Sequence, residues 1–426
     1  MRVLFLAHRV PYPPNRGDRI RSFHWLEYLS RRAEVHLAFL AEQEPPEESI
    51  DALEAMCARV AAVRLGKAAR WLRGARSLAA GRTATEGLFH SPALKRIVCR
   101  WAAQTRFDLV VAFCSSMVQY LDAEALAGVP AVVDLVDVDS QKWLDYAAQS
   151  RGPARWLLRL EGRRLRRLEC GVSGRAQAII LVSGHEAKLY RSFSPAECVY
   201  AIGNGVDLEY FRPKEPAEGE RPAQCVFVGA MDYRANVDGV TWLAREVWPE
   251  VYARRPAARL VLVGSNPGAG VKRLAELPGV ELVGEVPDVR PHLSQAAVVV
   301  VPLRVARGIQ NKVLEALAMG KAVIASPQAL EGLEVEPGVH VCRAASPAEW
   351  IEGLLALLDD PDLCRRLGLA GRQRVEQSYT WTARLAPLAD LLRLASADPA
   401  GADCRADELP TAHAAPETDA HTHVRL

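Results

Sequence analysis

The sequence predicts an α/β protein made of two doubly wound parallel-sheet domains facing a cleft, and three observations carry that prediction. Short runs of Val, Ile, Leu and Ala recur without polar alternation, as strands buried on both faces require. Longer stretches with helical spacing separate them, which makes consecutive strands parallel and their crossovers right-handed. A segment rich in Pro, Glu and Gly, 211–224, interrupts the alternation and reads as an interdomain linker.

In chain order, the first domain (1–210) should hold strands at "RVLFLA" (2–7), "EVHLAFL" (34–40), "DLVVAF" (108–113), "AVVDLV" (131–136) and "AIILVS" (178–183). After the linker, the second domain (225–378) should hold "CVFVGA" (225–230), "RLVLVG" (259–264), "VELVG" (280–284), "AVVVVP" (297–302), "AVIAS" (322–326) and "VHVC" (339–342). Residues 396–426 lack an apolar period and are expected to be disordered. Within them His421 and His423 read as solvated rather than metal-binding.

Composition bounds the partners. A chain of 426 residues exceeds one ordinary core, and 50% apolar with 24% charged residues is a soluble globular profile. A net charge of +2 makes no global demand for nucleic acid. The nine cysteines form no CxxC pair, which points to reduced thiols in a cytoplasm and to no metal centre. The opening "MRVLFLAHRVPYPP" reads as a buried strand rather than a leader, and no run approaches the ~18–20 apolar residues of a membrane span. Two basic stretches stand out. Residues 151–175 carry eight Arg against two Glu, with Trp156, Leu157, Leu158 and Leu165 interleaved, and "KAARWLRGARSLAAGR" covers 67–82. Each fits either an amphipathic helix touching anionic lipid heads or a solvated Arg face on an ordinary helix.

Ligands of open parallel sheets lie off the carboxyl ends of the strands, where helix N-termini offer free N–H groups and favour phosphate. Four loops qualify. The first, "HRVPYPPNRGDRIRSFHWLEYL", has Gly17 just before a helix, where the backbone can approach an anion closely. The second, "VDLVDVDSQKW", brings Asp137, Asp139, Ser140 and Lys142 to the cleft mouth, with Asp139 or Ser140 alternatively a simple N-cap. The third, "VGSNPGAG" (263–270), lacks G-x-G-x-x-G spacing and reads as a turn. The fourth, "RVARGIQNKVLEALAMGKAVIAS" (304–326), gathers Arg304, Arg307, Gln310, Asn311 and Lys312 at the expected start of a helix, with Glu315 one turn on. Lys312, Asn311 and Glu315 share one face. The cations suit a diphosphate and the carboxylate a vicinal diol such as ribose. The plainer alternative is a surface Lys312–Glu315 pair worth under about 1 kcal/mol. Against it, the clustered cations should repel one another unless an anion lies between them.

"NKVLEALAMGKAVIAS" resembles the donor-site motif of retaining glycosyltransferases of family 4, which have the GT-B fold. "PYPPNRGDRIRS", "DLVDVDSQKW", "VSGHEAKLY", "IGNGVDLEYFRP", "VFVGAMDYRANVDGVTWL" and "QSYTW" agree with it, and together resemble sugar transferases linked to exopolysaccharide and exosortase (PEP-CTERM) clusters. The resemblance implies a cytoplasmic enzyme, peripheral to the membrane at most. It would move a sugar from a nucleotide-diphospho-sugar to a saccharide or lipid-linked acceptor with retention, without a metal or other cofactor. It implies that Glu315 holds the ribose hydroxyls, that the Gly17 amide meets the diphosphate, and that Gly284 and Val286 lie near the base. It further implies that Asp139 occupies the loop contacting the donor sugar, and that a helix at 379–395 returns to the first domain. Two departures stand out. Arg307 occupies the place of a second glutamate, and the usual Gly-Arg and following Lys are missing from "VGAMDYRANVDG". The diphosphate cations are therefore expected to be Arg304, Arg307 and Lys312, with Arg234 an outsider. A GT-B-shaped nucleotide-sugar epimerase and a non-catalytic sugar-nucleotide binder are the competing readings.

Overall fold

The computed structural model describes residues 1–15, 17–213, 224–306 and 308–396. Two wholly parallel sheets organise them. The first has the order β3-β2-β1-β4-β5-β6-β7, with β1 Arg2–Ala7, β2 Glu34–Ala41, β3 Arg59–Arg64, β4 Leu109–Phe113, β5 Ala131–Val136, β6 Ala178–Leu181 and β7 Val199–Ala201. The second has the order β10-β9-β8-β11-β12-β13, with β8 Gln224–Val228, β9 Arg259–Val263, β10 Val280–Gly284, β11 Val298–Val301, β12 Ala322–Ala325 and β13 Cys342–Arg343.

The reason the central strands show no polar alternation is visible in β1. Leu4 and Leu6 enter one core with Val110, Ala112 and Val133. Val3, Phe5 and Ala7 enter another, on the opposite face, with Trp25, Leu26 and Leu37. The period of two persists, but both sets are apolar. In the second domain Val298 to Val301 are likewise all buried.

Departures from the expected elements lie at the edges. β3 and β7 were not anticipated, because both flank the sheet and are partly exposed, so neither needs a continuous apolar run. β13 shrinks to Cys342–Arg343. The helix expected to begin near Arg304 begins at Asn311 and ends at Ala318.

The helix Trp381–Ser396 sends Trp381, Leu385, Leu388, Leu391 and Leu392 into the first domain's core beside Trp25 and Leu29. Trp381 stacks on His24 with centroids 4.3 Å apart. Gly205, in "GNGVD", has no room for a side chain, since a Cβ there would lie 2.6 Å from the Trp381 amide nitrogen. Next to it, Val206 N donates to the Tyr379 carbonyl at 2.8 Å.

Seven cysteines, Cys57, Cys99, Cys114, Cys170, Cys225, Cys342 and Cys364, are free thiols. Among the described residues no helix is long and apolar enough to cross a membrane. The expectations for linker residues 214–223, for Arg307 and for the tail 397–426 fall outside the described residues.

Candidate functional site

The carboxyl ends of both sheets open onto the cleft, and two helix N-termini meet there. Gly17 opens the helix that follows β1, and Asn311 opens the helix between β11 and β12. A Cβ built on Gly17 would sit 4.0 Å from Asn311 Nδ2. Two sets of free N–H groups and two positive dipole ends are thereby presented to one space.

A buried polar chain fixes this arrangement. Arg21, fully buried one turn into the Gly17 helix, donates to both oxygens of Asp134 in β5 at 2.7 and 3.1 Å. Its remaining Nη1 donates to Asn204 Oδ1 at 2.8 Å. Asn204 Nδ2 in turn donates to Asn311 Oδ1 at 2.8 Å. The bidentate geometry offsets part of the cost of taking both charges out of water, although burial still pushes the Asp134 carboxyl above its ordinary value, and the two amides carry the connection from one domain to the other.

On the second domain's side, Lys312 Nζ donates to Asn236 Oδ1 at 2.7 Å and lies 4.4 Å from the Phe227 ring centroid. Burial pushes its pKa down to about 7, against the upward pull of Glu315. Burial likewise pushes Glu315 up to about 7, against the pull of Lys312. Both side chains keep part of their surface open to the cleft. The simple ion pair is not the arrangement found, because the ammonium is committed to Asn236 and the Phe227 face.

Glycines make the space. A Cβ on Gly229 would lie 2.7 Å from Lys312 Nζ and 2.8 Å from Asn236 Nδ2, and one on Gly264 would lie 1.8 Å from the Gly229 carbonyl oxygen. Gly264 N donates to the Gly284 carbonyl at 2.7 Å, and Gly284 has φ +83°. The ends of β8, β9 and β10 thus form a shelf without side chains, with Val286 half-buried just beyond.

Facing it, Asp139 accepts from Lys142 Nζ at 2.8 Å and from Ser115 Oγ at 2.7 Å, while Asp137 stands 3.9 Å from the same ammonium. Although burial opposes ionisation, Lys142 and Ser115 hold the Asp139 carboxyl below its ordinary pKa. Against its own burial, Lys142 is held well above the usual lysine value by Asp137 and Asp139. Asp139 is therefore a paired carboxylate rather than a base waiting for a proton. Neither Asp139 nor Ser140 caps the helix through its side chain. Ser140 donates from N to Glu169 Oε1 at 2.9 Å and from Oγ to Oε2.

Of the remaining candidates, Gln310 sits at the N-cap of the Asn311 helix. Arg234 lies over the Tyr146 ring at 4.7 Å and so touches the first domain. Arg304 pairs with Asp238 at 3.3 Å on an exposed surface, so the argument from mutual repulsion does not apply to it. The loop carrying Gly308 (φ +65°) reaches Val182 and Asp137. Sequence reasoning missed Arg21, Asp134, Asn204, Phe227, Gly229 and Asn236. A lone Asp in the otherwise apolar "AVVDLV" was an available signal; Asn236 gave none. Among the described residues no group of three His, Cys, Asp or Glu is placed to hold a metal.

Residues 222–360 match the family described as glycosyl transferases group 1. The chain is 30% identical over 250 residues to a GDP-mannose-dependent alpha-(1-6)-phosphatidylinositol monomannoside mannosyltransferase of Mycobacterium tuberculosis, covering 50% of this chain and 61% of the relative. That match therefore spans less than two thirds of the relative. Among solved structures, a sucrose-phosphate synthase from Thermosynechococcus elongatus superposes with TM-score 0.67 at 19% identity, covering 92% of this chain and 99% of that one. The Anabaena protein HepE in complex with UDP and glucose superposes with TM-score 0.67 at 14% identity, covering 92% and 100%. With these neighbours, the two facing parallel-sheet domains are a GT-B fold.

Proposed function

We propose that this protein is a retaining glycosyltransferase that moves a sugar from a nucleotide-diphospho-sugar to a saccharide or lipid-linked acceptor in exopolysaccharide synthesis. The observation that carries the reading is the meeting of two helix N-termini, at Gly17 and Asn311, beside Lys312 and Glu315. Free N–H groups, converging dipoles and a desolvated ammonium are what a departing nucleoside diphosphate needs as its charge grows. In this reading Lys312 takes the diphosphate, Glu315 accepts hydrogen bonds from the ribose hydroxyls, and the Gly264–Gly284 shelf with Val286 receives the base. Arg307 meets the diphosphate or an acidic group on the donor sugar.

With Asp139 already ionised and paired, front-face attack in which the departing phosphate accepts the acceptor's proton demands the least of the protein. The diphosphate is held by side chains and helix ends, so activity should survive chelation by EDTA. HepE in complex with UDP and glucose and the GDP-mannose-dependent relative support a nucleotide-sugar donor without choosing its base.

We further propose that the enzyme works peripherally at the inner face of the cytoplasmic membrane. Trp71 and Leu72 are 71% and 54% exposed, and Trp156 and Leu157 are 67% and 47% exposed. Both pairs sit on helices that also carry exposed cations, Arg76 on the first and Arg155, Arg159 and Arg163 on the second. Exposed indole rings among arginines suit an anionic lipid interface.

The test is incubation with a panel of nucleotide-sugars, scoring released nucleoside diphosphate with and without lipid-linked acceptor. Release that depends on acceptor supports transfer. Interconversion of the donor sugar would instead identify an epimerase, and binding without turnover a non-catalytic receptor.

A further inference from the structure

The helix Lys67–Ala79 shows Trp71 and Leu72 to the outside, while Arg70 and Arg73 turn inward and are half-buried. The Arg70 guanidinium lies 5.0 Å from the Phe89 ring centroid. Phe89 also meets the His8 ring at 5.7 Å, just past β1, and its carbonyl accepts from Tyr120 Oη at 2.7 Å. Tyr120 closes the short helical segment Ser115–Tyr120, whose first residue donates to Asp139. This patch therefore adjoins the cleft on the first domain, separate from the Gly17–Asn311 meeting point.

Its charges are unevenly answered. Glu42 accepts from Arg70 Nη1 at 2.6 Å and also lies 3.8 Å from Arg9. Arg73 is close enough to Tyr120 to act on it electrostatically. Yet Nε and Nη2 of Arg73, and Nε of Arg70, are closed off from solvent with no hydrogen-bond partner among the described residues. The hydroxyl of Ser116, a residue only 3% exposed, is also without a partner there. Charged donors buried without an acceptor are costly, and a ligand that supplies the acceptor removes that cost. The Nε–Nη2 edge of a guanidinium matches two oxygens of one phosphate, and a serine hydroxyl adds a third donor.

We propose that Arg70, Arg73 and Ser116 form an anion subsite that takes a phosphate group on the acceptor. This deepens the transferase reading and rests on it, since it names the acceptor as phosphate-bearing. The phosphate can belong to a lipid headgroup or to a water-soluble phosphomonoester, and the experiment separates them.

Calorimetric titration of the full chain with inorganic phosphate, and with a short-chain phosphatidic acid below its micelle concentration, tests the site. Wild type should bind at least one probe. Arg73→Gln should bind about tenfold or more weakly, as expected for loss of a charge-assisted pair. Ser116→Ala should weaken binding by a smaller factor, and Arg96→Gln, which removes an exposed charge elsewhere, should match wild type. Arg73→Lys should recover only part of the affinity, because it keeps the charge and loses the fork. Tighter binding of phosphatidic acid assigns a lipid headgroup, and equal binding assigns the phosphate alone. The proposal is overturned if wild type binds neither probe, or if Arg73→Gln and Ser116→Ala both bind like wild type. Nucleotide-sugar titrated into the wild type in the same instrument reports separately on the transferase reading.

Discussion

Titration of Lys312 and Glu315 makes a prediction whose sign changes with pH. In the free protein both groups have pKa values of about 7, displaced in opposite directions by the same burial. A bound diphosphate should return Lys312 toward its ordinary value near 10.5, because an adjacent anion favours the charged ammonium. Ribose hydroxyls donating to Glu315 should return that carboxyl toward 4.5, because hydrogen bonds to the carboxylate favour its charged form. At pH 8 free Lys312 is ~90% neutral and free Glu315 ~90% ionised, so donor binding takes up roughly 0.8 proton net. At pH 6 the populations reverse, and binding releases roughly 0.8 proton. Near pH 7 the two effects cancel. The lysine shift alone corresponds to roughly 5 kcal/mol of coupling between diphosphate and proton, large enough to govern affinity. The assay is titration calorimetry with an intact nucleotide-sugar, which has no phosphate titrating near neutrality, in buffers of different ionisation enthalpy. Lys312→Met should abolish the uptake at pH 8 and leave the release at pH 6, and Glu315→Gln should do the opposite. A proton count that keeps one sign from pH 6 to pH 8, or that survives in both variants, would refute the assignment.

Four further expectations follow from the packing and the exposed surface. Gly229→Ala pushes against the Lys312 ammonium and the Asn236 amide, side-chain ends rather than backbone, so donor affinity should fall about tenfold with little change in melting temperature. Gly264→Ala, by contrast, meets backbone, and its melting temperature should drop by several degrees. Arg21→Met strands the fully buried Asp134 carboxylate and should cost about 3–5 kcal/mol in denaturant unfolding. Adding Asp134→Leu should return much of that loss, and if it returns none the pair is not coupled as the geometry indicates. Trp71→Ser with Trp156→Ser removes two exposed rings, so unfolding should be unchanged while co-sedimentation with anionic vesicles falls. Equal sedimentation of wild type and double variant would sink the lipid-contact proposal.

The fold was legible where burial acts on both faces of a strand. β1 and β5 carry side chains whose alternate positions feed opposite apolar cores, and β11 is buried throughout, so each run announces itself by being almost wholly apolar, Asp134 in β5 being the exception. β3 and β7 did not, because an edge strand with partly exposed residues satisfies its backbone with a mixed composition. The start of the Asn311 helix was misplaced for a related reason. Residues 304–310 carry cations suited to a helix terminus, but Gly308 adopts φ +65° to pass Val182 and Asp137, and that contact comes from the other domain. Local spacing holds no record of it.

The site divides along the same line. Gly17, Asn311, Lys312 and Glu315 could be singled out because helix N-termini after parallel strands have a fixed chemical bias toward anions. What could not be read was how each charge is managed. Arg304 and Lys312 look alike in sequence, yet Arg304 is an exposed partner of Asp238, worth little in water. Lys312 is shielded on one side by Phe227 and held by Asn236, with only part of its surface left open. Both of those residues come from distant segments, and Gly229 leaves the ammonium room beside them. The same formal charge is thus spent on one side and kept in reserve on the other. Only a cation whose solvation has already been removed gains strongly when an anion arrives, because little water remains to be displaced. That difference in environment is what sets the proposed phosphate ligand apart from surface charge, and it arises from three segments that converge only once the second sheet has folded.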